Sequence, residues 1–133
     1  MKNQLIALFG EAEKGSFTSL IHIKSLAELC EKFGHPPENS YGINLAIQTL
    51  LYERELLFIR VQEEGFSFAD YLQGIQLLEK ATMTTNLSAI CLPGVGDHQI
   101  IEPTFKLCEQ RGSLLITNQK DLYDYLTGFH QSA

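Results

Sequence analysis

Apolar residues along this chain alternate between two spacings, and this alternation constrains the fold more than any other feature. Short apolar runs at residues 5–9, 55–62, 88–92 and 114–117 are typical of buried β-strands. Between these runs lie longer segments whose apolar residues recur every three or four positions, as in amphipathic helices. Strands that alternate with helices in this way predict a parallel sheet with right-handed crossovers and helices on its faces.

Polar residues that cap helices mark where several of the predicted helices begin. Ser25 with Glu28 forms a capping box, in which a hydroxyl and a carboxylate each satisfy an exposed backbone amide. By similar reasoning we place helix starts at three further residues: Ser40, Ser67 and Asn118. Pro103 suits a first helical turn, which predicts another helix from about Glu102 to Arg111. The apolar stripe of the last helix comprises Leu122, Tyr125, Leu126 and Phe129.

We therefore predict one α/β domain over residues 1–133, with a three-layer, Rossmann-like architecture. Its sheet has about four to five mostly parallel strands, and its helices cover both faces. Residues 17–23 alternate loosely, which predicts a strand and an N-terminal hairpin with the first strand. A chain of 133 residues with 44% hydrophobic residues can fold without a metal or disulfides, and we expect no cofactor. The histidines are dispersed without metal-ligand spacing, so we expect no metal site.

Charge and cysteine content narrow the classes of partner and compartment. The net charge is -6, and the 10 basic residues are scattered singly, which argues against nucleic-acid binding. The sequence contains neither a secretory signal pattern nor about 20 consecutive apolar residues, so we expect no membrane partner. Cys30, Cys91 and Cys108 are odd in number and lack C-x-x-C spacing, which favours buried, reduced thiols and a cytoplasmic location.

Ligands of open α/β sheets bind beyond the carboxyl ends of the strands, where helix N-termini expose unpaired amides. The first such segment contains Gly10 and Gly15 at the spacing of a Walker A motif. In that motif a lysine follows the second glycine, whereas Lys14 precedes it here. The carboxylates of Glu11 and Glu13 would also repel a polyphosphate. The loop is either a mobile turn or a ligand-binding loop, and in the second case a cationic or hydroxylated group suits it best.

A second segment follows the strand at 88–92. Gly94 and Gly96 resemble the start of a dinucleotide-binding fingerprint, but Gln99 stands at the third glycine position. The two glycines either serve only a long turn or form an amide-lined pocket, to which Asp97 and His98 would add a carboxylate and an imidazole.

Charged residues at the end of the strand at 55–62 are further candidates. Arg60 lies in the most apolar strand, where a buried guanidinium needs a partner. Its partner is either a helix carboxylate in a structural ion pair or an anionic group held in a cleft. Glu63 and Glu64 are consecutive, so their side chains diverge on an extended chain and cannot share one proton.

These observations support three hypotheses about function. The first is a domain that binds a polar, nucleotide-like or sugar-like small molecule through the residues Gly10, Glu11, Lys14, Arg60, Gly94, Gly96, Asp97, His98 and Asn118. The alternative is a non-catalytic interaction or assembly module that forms a homodimer. The third is a hydrolase or glycosyl-transfer enzyme acting on a nucleoside-like compound, with Glu63 or Glu64 as base and His98 handling the proton.

Overall fold

A computed structural model describes residues 4–128 of the chain. Within this range five strands and five helices follow one another: β1 (Leu5–Gly10), β2 (Ile21–Ile23), α1 (Leu26–Phe33), α2 (Gly42–Leu51), β3 (Glu55–Arg60), α3 (Phe68–Ala81), β4 (Ala89–Cys91), α4 (His98–Arg111), β5 (Leu114–Ile116) and α5 (Gln119–Thr127). The predicted alternation of strands and helices is confirmed.

The five strands form one mixed sheet in the order β2-β3-β1-β4-β5. β1 runs parallel to both β3 and β4, and β5 runs parallel to β4. β2 is antiparallel, as expected for a hairpin-like N-terminal arrangement, but its hydrogen-bonded neighbour is β3, which lies between β1 and β2. The predicted small α/β fold with a mostly parallel sheet is confirmed.

Alternate residues of β1 point into two separate hydrophobic cores. Ile6 and Leu8 belong to the core that α1, α2 and α5 cover, whereas Ala7 and Phe9 belong to the core that α3 and α4 cover. This division is the three-layer architecture predicted from the sequence, with helices on both faces. In α5, the predicted stripe residues Leu122, Tyr125 and Leu126 are buried, and Phe129 lies outside the described residues.

Four predicted helix starts have different outcomes. Ser25 and Asn118 cap α1 and α5 through side-chain oxygens that accept the backbone N–H three residues later. Ser67 lies at the N-cap position of α3 as predicted, although its side chain makes no capping hydrogen bond. Ser40 does not cap α2, contrary to prediction, because Tyr41 holds the N-cap position. The Ser40 hydroxyl donates to the carbonyl of Pro37 instead, and the Ser67 hydroxyl bonds the backbone of Glu63. Both hydroxyls therefore form hydrogen bonds with backbone atoms of loops.

The prediction for α4 placed its start four residues too late. The helix begins at His98 because the Asp97 side chain accepts the backbone N–H of Gln99 at 2.8 Å. Pro103 lies within the helix, where it removes one hydrogen bond without ending it. The longest described helices, α3 and α4, have 14 residues, and no helix within residues 4–128 is long and apolar enough to cross a bilayer.

Two further predictions near the N-terminus need correction. The predicted strand at 17–23 is reduced to β2, because Thr18 adopts a left-handed backbone conformation with φ 51° that interrupts an extended segment. Cys30 was predicted to be buried but is exposed, since α1 buries only Leu29 and Phe33 at the margin of the sheet. Cys91 and Cys108 are buried as predicted.

Candidate functional site

The carboxyl ends of the four parallel strands lie on one rim of the sheet. The strand register pairs Gly10 with Arg60, Leu8 with Cys91, and Cys91 with Ile116. The loops after β1, β3, β4 and β5 therefore leave the sheet at the same edge, as the sequence predicted. We call this edge the carboxyl rim.

A buried carboxylate occupies the middle of the carboxyl rim. Glu64 accepts the backbone N–H of Tyr41 at 2.6 Å through Oε2, and those of Gly42 and Glu11 at 2.9 and 3.0 Å through Oε1. Tyr41 and Gly42 form the N-terminus of α2, so Glu64 supplies the cap that no residue of α2 provides. The side chain of Glu11 in turn accepts the backbone N–H of Glu64 at 2.9 Å.

Opposing effects act on the protonation of this carboxylate. Burial raises the pKa of Glu64 because the charged form is poorly solvated, whereas the amides of Tyr41, Glu11 and Gly42 favour the charged form. The negative charge of Glu11 adds to the upward shift. The net direction is a pKa above the ordinary value of a glutamate.

Around Glu64, backbone segments of the carboxyl rim pack directly against one another. A Cβ on Gly10 would lie only 2.7 Å from the α carbon of Gly42, and a Cβ on Gly65 only 2.6 Å from the carbonyl oxygen of Gly94. Glycine is therefore required at these close approaches. The hydroxyl of buried Tyr71 accepts the N–H of Gly65 at 2.7 Å and holds the loop after β3 in place.

On one side of Glu64 lies a cavity of about 290 Å³, which we call the Arg60 cavity. It lies at the ends of β1 and β3, against the connector between α1 and α2. Its lining residues are Glu11, Ala12, Glu13, Phe17, His35, Pro36, Pro37, Arg60, Val61 and Gln62. Two candidate ligand-binding residues, Glu11 and Arg60, thus share one cavity.

The Arg60 side chain has no carboxylate partner among the described residues. Its Nη1 donates to the carbonyl of Gly15 at 2.6 Å, and its guanidinium lies 4.0 Å from the centroid of the Phe17 ring. Its Nε is buried and has no hydrogen-bond partner in the described part of the chain. A structural ion pair, one of the two interpretations of the sequence, is therefore wrong for residues 4–128.

On the other side of Glu64 lies a second cavity of about 320 Å³, which we call the Tyr41 cavity. It opens between the start of α2 and the ends of β4 and β5. Its lining residues are Tyr41, Leu45, Pro93, Gly94, Thr117, Asn118 and Gln119, none of which carries a charge. The candidate residues Gly94 and Asn118 therefore lie apart from Glu11 and Arg60.

The remaining candidate residues lie outside both cavities. His98 lines a groove with Phe68 and Glu102 between α3 and α4, and neither Glu63 nor Glu64 lines that groove. Asp97 is occupied as the cap of α4, and Gly96 and Lys14 are exposed. Gly10 is packed against Gly42. The structure thus does not bring His98 together with the two glutamates.

Glu63 and Glu64 diverge as the sequence predicted. Glu63 is exposed, whereas Glu64 is buried against α2. Within residues 4–128 no three His, Cys, Asp or Glu side chains are grouped so that they could hold a metal ion.

Comparisons of the chain with protein-family models, with curated proteins and with solved structures find no match. Sequence reasoning overlooked Phe17, His35 and Tyr41 as cavity residues. Tyr41 could have been predicted as a cavity residue, because it lies one residue before α2. Phe17 could not, because its contact with Arg60 depends on the path of a loop.

Proposed function

We propose that this protein binds a polar, sugar-like or nucleotide-like small molecule in the Arg60 cavity. The observation that carries the proposal is the guanidinium of Arg60, which lines this cavity and has no carboxylate partner within residues 4–128. A positive charge without an internal partner favours the binding of an anionic or hydrogen-bond-accepting group of a ligand. The cavity volume of about 290 Å³ suits a small polar molecule.

The charges around the cavity narrow the ligand class. Arg60 favours a carboxylate, phosphate or carbonyl group, because a guanidinium donates several hydrogen bonds in a fixed plane. Glu11 and Glu13 line the same cavity and would repel a polyphosphate, but they accept hydrogen bonds from hydroxyl groups. A hydroxylated molecule with a single anionic group fits both features.

The proposal includes the cellular compartment of the protein. All three cysteines lack disulfide partners, which fits a reducing, cytoplasmic compartment. The homodimer and the enzyme remain predictions from the sequence.

Ligand binding can be tested by thermal unfolding in the presence of neutral sugars, sugar acids, sugar monophosphates and nucleoside monophosphates. A bound compound raises Tm because it stabilises the folded state alone. We expect at least one hydroxylated compound with a single anionic group to raise Tm, and Arg60→Gln to weaken its binding at least tenfold.

Arg111→Gln is the matched control. Arg111 also donates hydrogen bonds, to Thr82 and to the carbonyl of Glu79, but it lines a different cavity at the amino ends of the strands. This variant should bind the ligand as the wild type does. The proposal is wrong if no compound raises Tm, or if Arg60→Gln binds as tightly as the wild type.

A further inference from the structure

The Tyr41 cavity differs from the Arg60 cavity in its chemistry. No charged side chain among the described residues lines it, and the polar side chains that face a ligand are the hydroxyl of Thr117, the amide of Gln119 and the phenol of Tyr41. The amide of Asn118 is engaged in capping α5 and in a bond to Asp121. An anionic ligand would find no charged partner there. An uncharged ligand with hydrogen-bond donors and acceptors matches the lining.

Tyr41 offers an aromatic surface at a fixed position. Its backbone N–H is held by Glu64 at 2.6 Å, yet 58% of the residue is exposed. Each contact between two aromatic rings within residues 4–128 involves other residues: Phe9 with Tyr71, Phe33 with Phe58, and Tyr52 with Tyr123. The Tyr41 ring is therefore available to stack on a flat ligand, and its backbone is already ordered.

The backbone of Gly94 forms part of the wall of the Tyr41 cavity. Its φ of 79° favours glycine, and a Cβ built on it would meet no atom of the described residues within 4 Å. The space in front of its α carbon is therefore open to the cavity. Together with Leu45 and Pro93, this glycine provides an apolar surface for the body of a ligand.

We infer that the Tyr41 cavity binds an uncharged heteroaromatic ring of the nucleobase type. Such a ring stacks on an aromatic side chain through its face and exchanges hydrogen bonds with hydroxyl and amide groups through its edge. The volume of about 320 Å³ suits a nucleoside. This inference does not require Arg60, because Arg60 does not line the Tyr41 cavity.

The test is a titration of the whole protein with adenosine, guanosine, cytidine and uridine, followed by amide chemical shifts and by calorimetry. We expect at least one nucleoside to shift the amides of Gly94, Thr117 and Gln119, and ribose alone to leave them unchanged. Tyr41→Ala should weaken this binding at least fivefold, because it removes the stacking surface. Tyr41→Phe should retain it.

Two controls separate this site from general effects. Tyr123→Ala removes another exposed tyrosine, on α5 away from the carboxyl rim, and should bind the nucleoside as the wild type does. Arg60→Gln should also leave nucleoside binding unchanged, so failure of the Arg60 proposal and failure of this one are distinguishable. The inference is overturned if no nucleoside shifts the cavity amides, or if Tyr41→Ala binds as tightly as the wild type.

Discussion

Glu11 and Glu64 are joined by two reciprocal hydrogen bonds, in which each carboxylate accepts the backbone N–H of the other residue, at 3.0 and 2.9 Å. The pair links the loop after β1 to the loop after β3. Because Glu64 also holds the start of α2, it joins three segments of the carboxyl rim and bonds one lining residue of each cavity, Glu11 and Tyr41.

Replacement of Glu64 by alanine should destabilise the protein strongly. Glu64→Ala leaves the amides of Glu11, Tyr41 and Gly42 without their acceptor, and we expect a loss of about 3 kcal/mol in the free energy of unfolding. Urea denaturation measures this loss. Glu63→Ala changes the exposed neighbouring glutamate and should cost less than about 0.5 kcal/mol. Equal effects of the two substitutions would contradict the structural role of Glu64.

The stability conferred by Glu64 should depend on pH. Burial raises its pKa in the folded protein above 4.5, so the folded state binds the proton more tightly than the unfolded chain does. The part of its contribution that comes from this shift is complete below pH 4.5 and is lost as the pH rises through the raised pKa, whereas the hydrogen bonds from the three amides remain.

The matched reference for this effect is Glu64→Gln, whose amide does not titrate. The free energy of unfolding of the wild type minus that of Glu64→Gln should fall as the pH rises above 4.5, as measured by urea denaturation. A difference that increases with pH would mean that the three amide hydrogen bonds outweigh burial.

Gly74 should tolerate no side chain, although it lies inside α3. A Cβ at this position would collide with the ring of Phe9 and lie 3.3 Å from Ile59. Gly74→Ala should therefore destabilise the fold by about 1–3 kcal/mol through overpacking, despite the higher helix propensity of alanine. Gln73→Ala, at an exposed position of α3, is the control and should change stability by less than about 0.5 kcal/mol. Thermal or urea unfolding of both variants measures these changes in stability.

The three cysteines should differ in reactivity. Cys30 is exposed, whereas burial raises the pKa of Cys91 and raises that of Cys108 to about 11. A thiol reagent such as DTNB should modify one thiol rapidly in the folded protein and the other two only after unfolding. Cys30→Ser should abolish the rapid phase. Rapid reaction of a second thiol in that variant would contradict the burial of Cys91 and Cys108.

Most of the fold could be predicted from local patterns. Short apolar runs and helical stripes place β1, β3, β4 and the helices, because a strand covered on both faces is apolar throughout and apolar residues recur every turn in a helix. The caps at Ser25 and Asn118 were predictable since each bond spans only three residues. The late start predicted for α4 came from giving Pro103 more weight than the capping carboxylate of Asp97.

The sites were less predictable than the fold. The rule that ligands bind at the carboxyl ends of strands identified Glu11, Arg60, Gly94 and Asn118, which line the two cavities. It could not show that these residues divide between separate cavities. It also could not show that Asp97 is engaged in capping α4.

The sequence alone determined the class of fold and the rim on which the strand-end loops meet, because short-range periodicity and chain direction decide both. Only the tertiary structure decided that Glu64 caps α2 from 22 residues away and that Arg60 lacks a carboxylate partner within residues 4–128. Each of these facts depends on contacts between segments far apart in the chain. Such contacts follow from the packing of loops at the rim, which no local pattern of residues specifies.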